Sequence, residues 1–193
     1  MRDITAEAQF DNFFALFEQP VQFEVNQESL DQHLRLLQKR YHPDNVDKNL
    51  ANTSQAQQQS EQYSAIINQA YQALSAPDSR AGYLLDMAGQ AQNLEHSIAD
   101  LDFLEDAMEM RMDLDDAIAG KDLPALQLLH PQITERLAKQ SERFNSAYKN
   151  QDWKTAIDAT QKLKFLVKLN ADVTNGIDEL ATAEHSDDDD LYV

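Results

Sequence analysis

Cysteine is absent from this chain of 193 residues. That removes disulfides, thiolate nucleophiles, thiolate zinc sites and cysteine-ligated clusters together. Glycine is scarce too, with four residues, which disfavours a turn-rich β fold. No stretch approaches the ~18 uninterrupted apolar residues of a membrane-spanning helix. The opening MRDITAEAQF lacks the basic-then-apolar order of a secretion signal. A soluble cytoplasmic protein is therefore expected. Gly-rich phosphate loops and serine elbows are missing, and His33, His42, His96, His130 and His185 are scattered without ligand spacing. These absences predict no enzyme, cofactor or metal site. Positive charge is also short: the net charge is −18. Residues 1–85 hold 11 acids against 6 bases (−5), and residues 86–193 hold 23 against 10 (−13). A field of that sign repels phosphate backbones, so nucleic acid is not an expected partner.

What the chain does contain is helical periodicity. FDNFFALF, residues 10–17, is a short apolar segment closed by EQP. In NQESLDQHLRLLQKRY the residues Leu30, Leu34, Leu37 and Tyr41 form one stripe, with Asn26 as N-cap and Pro43 as stop. A further helix is expected from Asn52–Ser54 to Ser75, with Tyr63, Ile67, Ala70 and Leu74 as its stripe and a glutamine-rich start projecting into solvent. SAPDSRAGYLLDMAG restarts a helix: Ser75 and Asp78 have capping-box spacing, Pro77 suits a first turn and Gly89 a stop. Three more helices are predicted over roughly 101–119, 122–149 and 152–181, joined by short loops and hence an antiparallel three-helix bundle. Pro131 marks an expected irregularity in the second of them. The expectation is an all-α, roughly L-shaped chain. It comprises an extension (1–9), a small helical domain (10–76), a partly helical linker (77–96), a bundle (97–181) and a disordered acidic tail (182–193).

Two places invite a partner. In RYHPDNVDKN, Pro43 fixes φ and removes an N–H donor, so the turn is stiff. Asp44 offers a carboxylate for bidentate pairing with an arginine, and His42 a ring whose charge is adjustable near neutral pH. Arg35, Lys39 and Arg40 lie off the apolar stripe just before it. They form either a solvated helix face or a docking face for an acidic partner. The second place is the helix at 101–119. Phe103, Ala107, Met110, Leu114 and Ala117 share one face, while Leu101, Leu104, Met108 and Met112 form another stripe roughly 140° away. One stripe closes a bundle. The other either packs on the N-terminal domain or linker, or binds a partner, for which methionines are well suited. Phe165 in KLKFLVKL likewise points away from the stripe Ala156, Ala159, Leu163 and Leu166.

A chosen tripeptide turns up by chance in roughly one chain in forty of this length, so HPD needs its context. A tyrosine-ended amphipathic helix, HPD, a polar loop and a second helix containing INQAYQALSAPDSRAGYLL resemble a J-domain, the module that stimulates the ATPase of Hsp70 chaperones. With FDNFFALF in front, and DFLEDAMEMRMDLDDA and KLKFLVKL behind, residues 10–180 resemble the HscB family, J-type co-chaperones of iron–sulfur cluster assembly. The Gly/Phe-rich and cysteine-rich regions of general chaperone J-proteins are missing. The resemblance implies that His42, Pro43 and Asp44, with Arg35, Lys39 and Arg40, engage the Hsp70 HscA. It further implies that the bundle binds the scaffold protein IscU through Leu104, Glu105, Met108, Glu109, Arg111, Met112 and Phe165. Weak self-association is compatible with it. Asn45 stands where a basic residue is common, Met112 where an acidic one is expected, and Glu105 where an apolar one is usual.

Overall fold

The computed structural model describes residues 11–41, 54–94 and 98–189. Its elements are α1 (Phe13–Leu16), α2 (Gln27–Tyr41), α3 (Ser54–Ser75), α4 (Pro77–Met87), a single 3₁₀ turn (Ala91–Asn93), α5 (Leu101–Ala119), α6 (Leu123–Lys149) and α7 (Trp153–Asp189). No strand occurs among the described residues, so the all-α class holds. The chain divides into two compact units between Ala88 and Gly89.

In the first unit, α2 and α3 are a helical pair and α1 and α4 pack on it. Asn26 caps α2 by accepting the Ser29 N–H at 3.0 Å, as the sequence suggested. Leu30 on α2 and Ile67, Ala70 and Leu74 on α3 are buried. Phe14 and Leu16 of α1, Phe17 just after it, and Ala81, Leu84 and Leu85 of α4 complete this core. Phe13 stacks on Tyr83 with centroids 4.7 Å apart, and its N–H donates to the Tyr83 hydroxyl at 3.0 Å. The helix assigned to a linker at 77–96 is thus a packed part of the first unit, because its apolar face is needed to cover α1 and α3. Ser75 does not cap it. Ser75 ends α3, Ala76 occupies the N-cap without a side-chain bond, and Pro77 opens the first turn. The helix ends at Gly89, whose φ of +71° is open to glycine and strained for other residues.

Arg80 closes the turn between α3 and α4. Its guanidinium is buried, donates to the carbonyls of Leu74 and Ser75 at the end of α3, and lies 5.1 Å over the Phe23 ring. Those carbonyls have no intrahelical donor, so the arginine satisfies groups that would otherwise be orphaned. Burial pushes its pKa below the usual arginine range, with Asp78 opposing the shift.

The second unit is a three-helix bundle. Asp100 caps α5 and Asp122 caps α6, accepting the Phe103 and Ala125 N–H groups. Both interhelical turns have the same form. Lys121 and Gln151 adopt φ of 51° and 56°, and the N–H of the following aspartate reaches back to the carbonyl of the fifth residue before it, Asp122 to Ala117 and Asp152 to Ala147, each at 2.9 Å. That aspartate then caps the next helix, so three residues end one helix and start another. Pro131 does not interrupt α6. It lies on the exposed face, as does Gln127, whose carbonyl loses the donor that proline lacks and is left open to solvent. The core unites Met110, Leu114 and Ala117 of α5, Leu126, Leu129 and Ile133 of α6, and Leu166, Leu169 and Val173 of α7. A Cβ at Gly176 would meet Leu126 at 3.2 Å, so this glycine permits the close approach of α7 to α6. The predicted disordered tail is corrected in part: α7 runs on to Asp189. No proline or glycine follows Gly176, and a helix anchored by packing extends at little cost until a breaker intervenes.

Candidate partner-binding sites

His42, Pro43 and Asp44, with Asn45, lie outside the described residues; the structure defines how the chain arrives there. The Tyr41 and Tyr63 rings stack at 4.5 Å, and the buried Ser60 hydroxyl donates to the Tyr41 carbonyl at 2.7 Å. These contacts pin the last residue of α2 against α3, so the segment beginning at residue 42 leaves from a rigid base. Arg35, Lys39 and Arg40 are all exposed on α2. The Arg40 guanidinium lies 5.6 Å over the Tyr41 ring, a cation–π contact that orients it beside that base. Deeper on the same helix, Asp31 accepts the Tyr71 hydroxyl at 2.8 Å, and this bond raises the Tyr71 pKa. His33 sits between the Ser29 carbonyl at 2.8 Å and Glu18 at 3.2 Å, a structural position.

In the bundle, α5 carries two different faces. Ala107, Met110, Leu114 and Ala117 are buried, whereas Met108 and Met112 are each 65% exposed and Leu101 is 76% exposed. Leu104 is half-buried and Glu105 and Glu109 are exposed beside this stripe. Apolar groups held in water in a row are unusual on a monomer surface and mark an interaction site when contiguous. Phe165, on α7, is half-buried and meets the Phe103 ring edge-to-face at 6.2 Å. Phe165 and Phe103 are both partly buried against the bundle core.

Arg111 is differently employed. It bonds Asp115 through Nε at 3.1 Å and Asp172 of α7 through Nη1 at 2.6 Å. Both carboxylates raise its pKa, Asp115 more than Asp172. Its charge is engaged within the bundle while the side chain remains 41% exposed. Two further links were not legible from apolar patterning. Arg136 of α6 makes a bidentate pair with Asp106 of α5, both bonds 2.8 Å, holding that carboxyl below its usual range. Lys162 of α7 is buried and bonds Asp100 at 2.6 Å. A signal for Lys162 was present: at 100° per residue it falls between Leu169 and Val173, beside the arc of Ala159, Leu163 and Leu166, where a purely apolar stripe would have no charge. Among the described residues no helix is long and apolar enough to cross a membrane, and no cluster of His, Asp or Glu is placed to hold a metal.

With this geometry in view, a family model described as the HSCB C-terminal oligomerisation domain matches residues 99–174, which spans α5 and most of the hairpin behind it. A curated co-chaperone protein HscB homolog of Acinetobacter baumannii (strain SDF) is 36% identical over 178 residues, 92% of this chain and 96% of the relative. The chain belongs to the HscB co-chaperone family. The HscB homolog of Acinetobacter baylyi agrees, at 34% identity over 94% of this chain and 99% of its own. The solved chaperone HscB from Vibrio cholerae superposes with a TM-score of 0.70 at 34% identity, covering 88% of this chain and 99% of that one. HscB membership accounts for the pairing of a J-type helical unit with a C-terminal helical bundle in a single chain.

Proposed function

We propose that this chain is an adaptor in iron–sulfur cluster assembly. Its J-domain, residues 10–76, engages the Hsp70 HscA and stimulates its ATPase, and its bundle, residues 97–181, binds the scaffold IscU and delivers it to that chaperone. The protein makes and breaks no covalent bonds itself and works in the cytoplasm. On the Hsp70 side, His42, Pro43 and Asp44 form the trigger: a stiff turn loses little freedom on binding, and Asp44 supplies a carboxylate for an arginine of the ATPase domain. Arg35, Lys39 and Arg40 steer and dock against an acidic surface. On the scaffold side, Leu104, Met108, Met112 and Phe165 supply apolar contact, with Glu105 and Glu109 at its edge. Arg111 supports the surface through its intramolecular pairs. Holding both partners at once raises the scaffold's effective concentration at the chaperone.

The observation that carries this reading is the doubled face of α5: a complete core stripe and a second apolar stripe left in water, within a chain of the HscB family. The test is an HscA ATPase assay with and without IscU. Asp44→Asn is expected to abolish stimulation; full stimulation by that variant refutes the trigger. Met108→Asp is expected to weaken IscU binding by tenfold or more, on the order of a hot-spot loss, while leaving stimulation in the absence of scaffold intact. Phe165→Ala should act in the same direction, with some loss of stability because it packs on Phe103. Parental IscU affinity in both variants refutes the second-stripe site, and binding of many unfolded chains instead of IscU identifies a general client-binding J-protein.

A further inference from the structure

Lys162 is a charge inside an apolar arc. Ala159, Leu163 and Leu166 around it are fully buried, and its own side chain is 2% exposed. Its Nζ lies 2.6 Å from Asp100, 2.9 Å from Asp158 and 5.3 Å from the centre of the Phe103 ring. Such a pair is a poor source of stability, because replacing a buried ion pair with apolar groups of similar volume is often neutral or stabilising. What a directed, charge-assisted bond supplies is geometry.

The bond to Asp100 is where the geometry matters. Asp100 Oδ1 accepts the Phe103 N–H at 3.1 Å as the N-cap of α5, and Oδ2 accepts from Lys162 at 2.6 Å. One carboxylate therefore ties the first turn of α5 to a fixed point on α7, and the lysine bond, ahead of the cap bond, holds that carboxyl below its usual pKa. The surface assigned to scaffold docking is composite, with Leu104 and Met108 from α5 and Phe165 from α7. Its shape depends on the rotation and register of α5 against α7. Helices α6 and α7 pack closely along their length, whereas α5 approaches α7 at few points. Met110, Leu114 and Ala117 join α5 to the common core, and polar links further fix its register. Arg111–Asp172 does so near the middle of α5, at a half-exposed position; Lys162–Asp100 does so at its start, from inside the core.

We infer that Lys162 is a positioning residue: by holding Asp100 it registers the first turn of α5 on α7, so that Leu104 and Phe165 present one continuous surface to the scaffold. The inference rests on the docking reading above. Two full-length variants test it. Lys162→Met keeps the stem and removes the charge; Asp100→Asn keeps a good N-cap and removes the ion pair. Apo-IscU is titrated calorimetrically against each, and contacts between the Phe103 and Phe165 rings are read by NMR. Both variants are expected to keep parental helix content, to bind apo-IscU about tenfold more weakly, and to be non-additive when combined, as members of one link should be. The Phe103–Phe165 cross-peaks should weaken, and HscA stimulation without scaffold should not change. Parental affinity in a folded variant overturns the inference. So does weakened affinity with additive effects and unaltered ring contacts, which assigns the lysine a role of a different kind. If Lys162→Met fails to fold, Asp100→Asn decides by the same two readouts. A parent protein that binds no apo-IscU overturns the docking reading and this inference with it, a result distinct from a variant that binds as the parent does.

Discussion

Lys121 and Gln151 do at the ends of α5 and α6 what glycine usually does. Both sit in the left-handed region with φ near 50°, which costs an L-residue roughly 1–2 kcal/mol. Gly120, the obvious stop in the sequence, has an ordinary φ, and a Cβ there would come within 3.2 Å of the Asp116 carbonyl. The glycine thus relieves crowding while its neighbour makes the turn. Gln151→Gly is expected to raise the stability of the bundle by about 0.5–1 kcal/mol, since the relief of strain exceeds the added freedom of the unfolded chain. Lys121→Gly should gain less, because it also removes a cation from the C-terminus of α5, where the helix dipole favours one. Urea unfolding midpoints of the two variants check both statements; a loss of stability in Gln151→Gly contradicts the first.

At the scale of the element, α5 carries one buried apolar face and one exposed apolar face. Leu114 is fully buried among Met110, Ala117 and the facing residues of α6 and α7, and Met112, two positions away, is 65% exposed. Leu114→Ala is expected to cost about 2–5 kcal/mol through lost burial and an unfilled cavity. Met112→Ala should change stability by less than about 0.5 kcal/mol, its effect appearing in scaffold affinity. Thermal unfolding beside a binding titration distinguishes the two, and a large stability loss in Met112→Ala would show that the outer stripe is covered within the protein. This division was legible in the sequence because a period of 3.6 residues separates faces unambiguously over nineteen residues. The place of α4 was not. A helix of eleven residues flanked by Pro77 and Gly89 reads as punctuation, and its role depends on Tyr83 and Arg80 meeting Phe13 and the end of α3 across the chain.

For the molecule as a whole, the excess of acid is partly organised. Among the described residues of the bundle, Asp100 and Asp106 have pKa values held below the ordinary carboxylate value by Lys162 and Arg136. A depressed folded pKa contributes stability that is complete above the unfolded value of about 3.9 and is lost as pH falls through the lower folded value. The bundle's melting temperature is therefore expected to be flat near neutrality and to fall progressively between about pH 4 and pH 2. Arg136→Gln should lower stability near neutrality and flatten that acid decline, since Asp106 then titrates alike in both states. An unchanged acid slope in this variant would show that the Arg136–Asp106 pair contributes nothing measurable, as many exposed pairs do.

Local chemistry by itself determined the helices, their faces and most of their ends. Backbone propensity, caps such as Asn26 and Asp122, and apolar periodicity act within one or two turns, so they can be read along a single strand of text. The HPD tripeptide by itself read as a stiff polar turn, and it was the resemblance of its flanking helices to a J-domain that implied a chaperone partner. Only the tertiary structure decided which charges serve the fold. Arg111 bonds Asp115 and Asp172 while its side chain stays 41% exposed, and Lys162, hidden among alanines and leucines, reaches Asp100 across 62 residues of chain. An ion pair has no period and no preferred spacing. Its partner is chosen by packing, and packing is settled only when the helices have met.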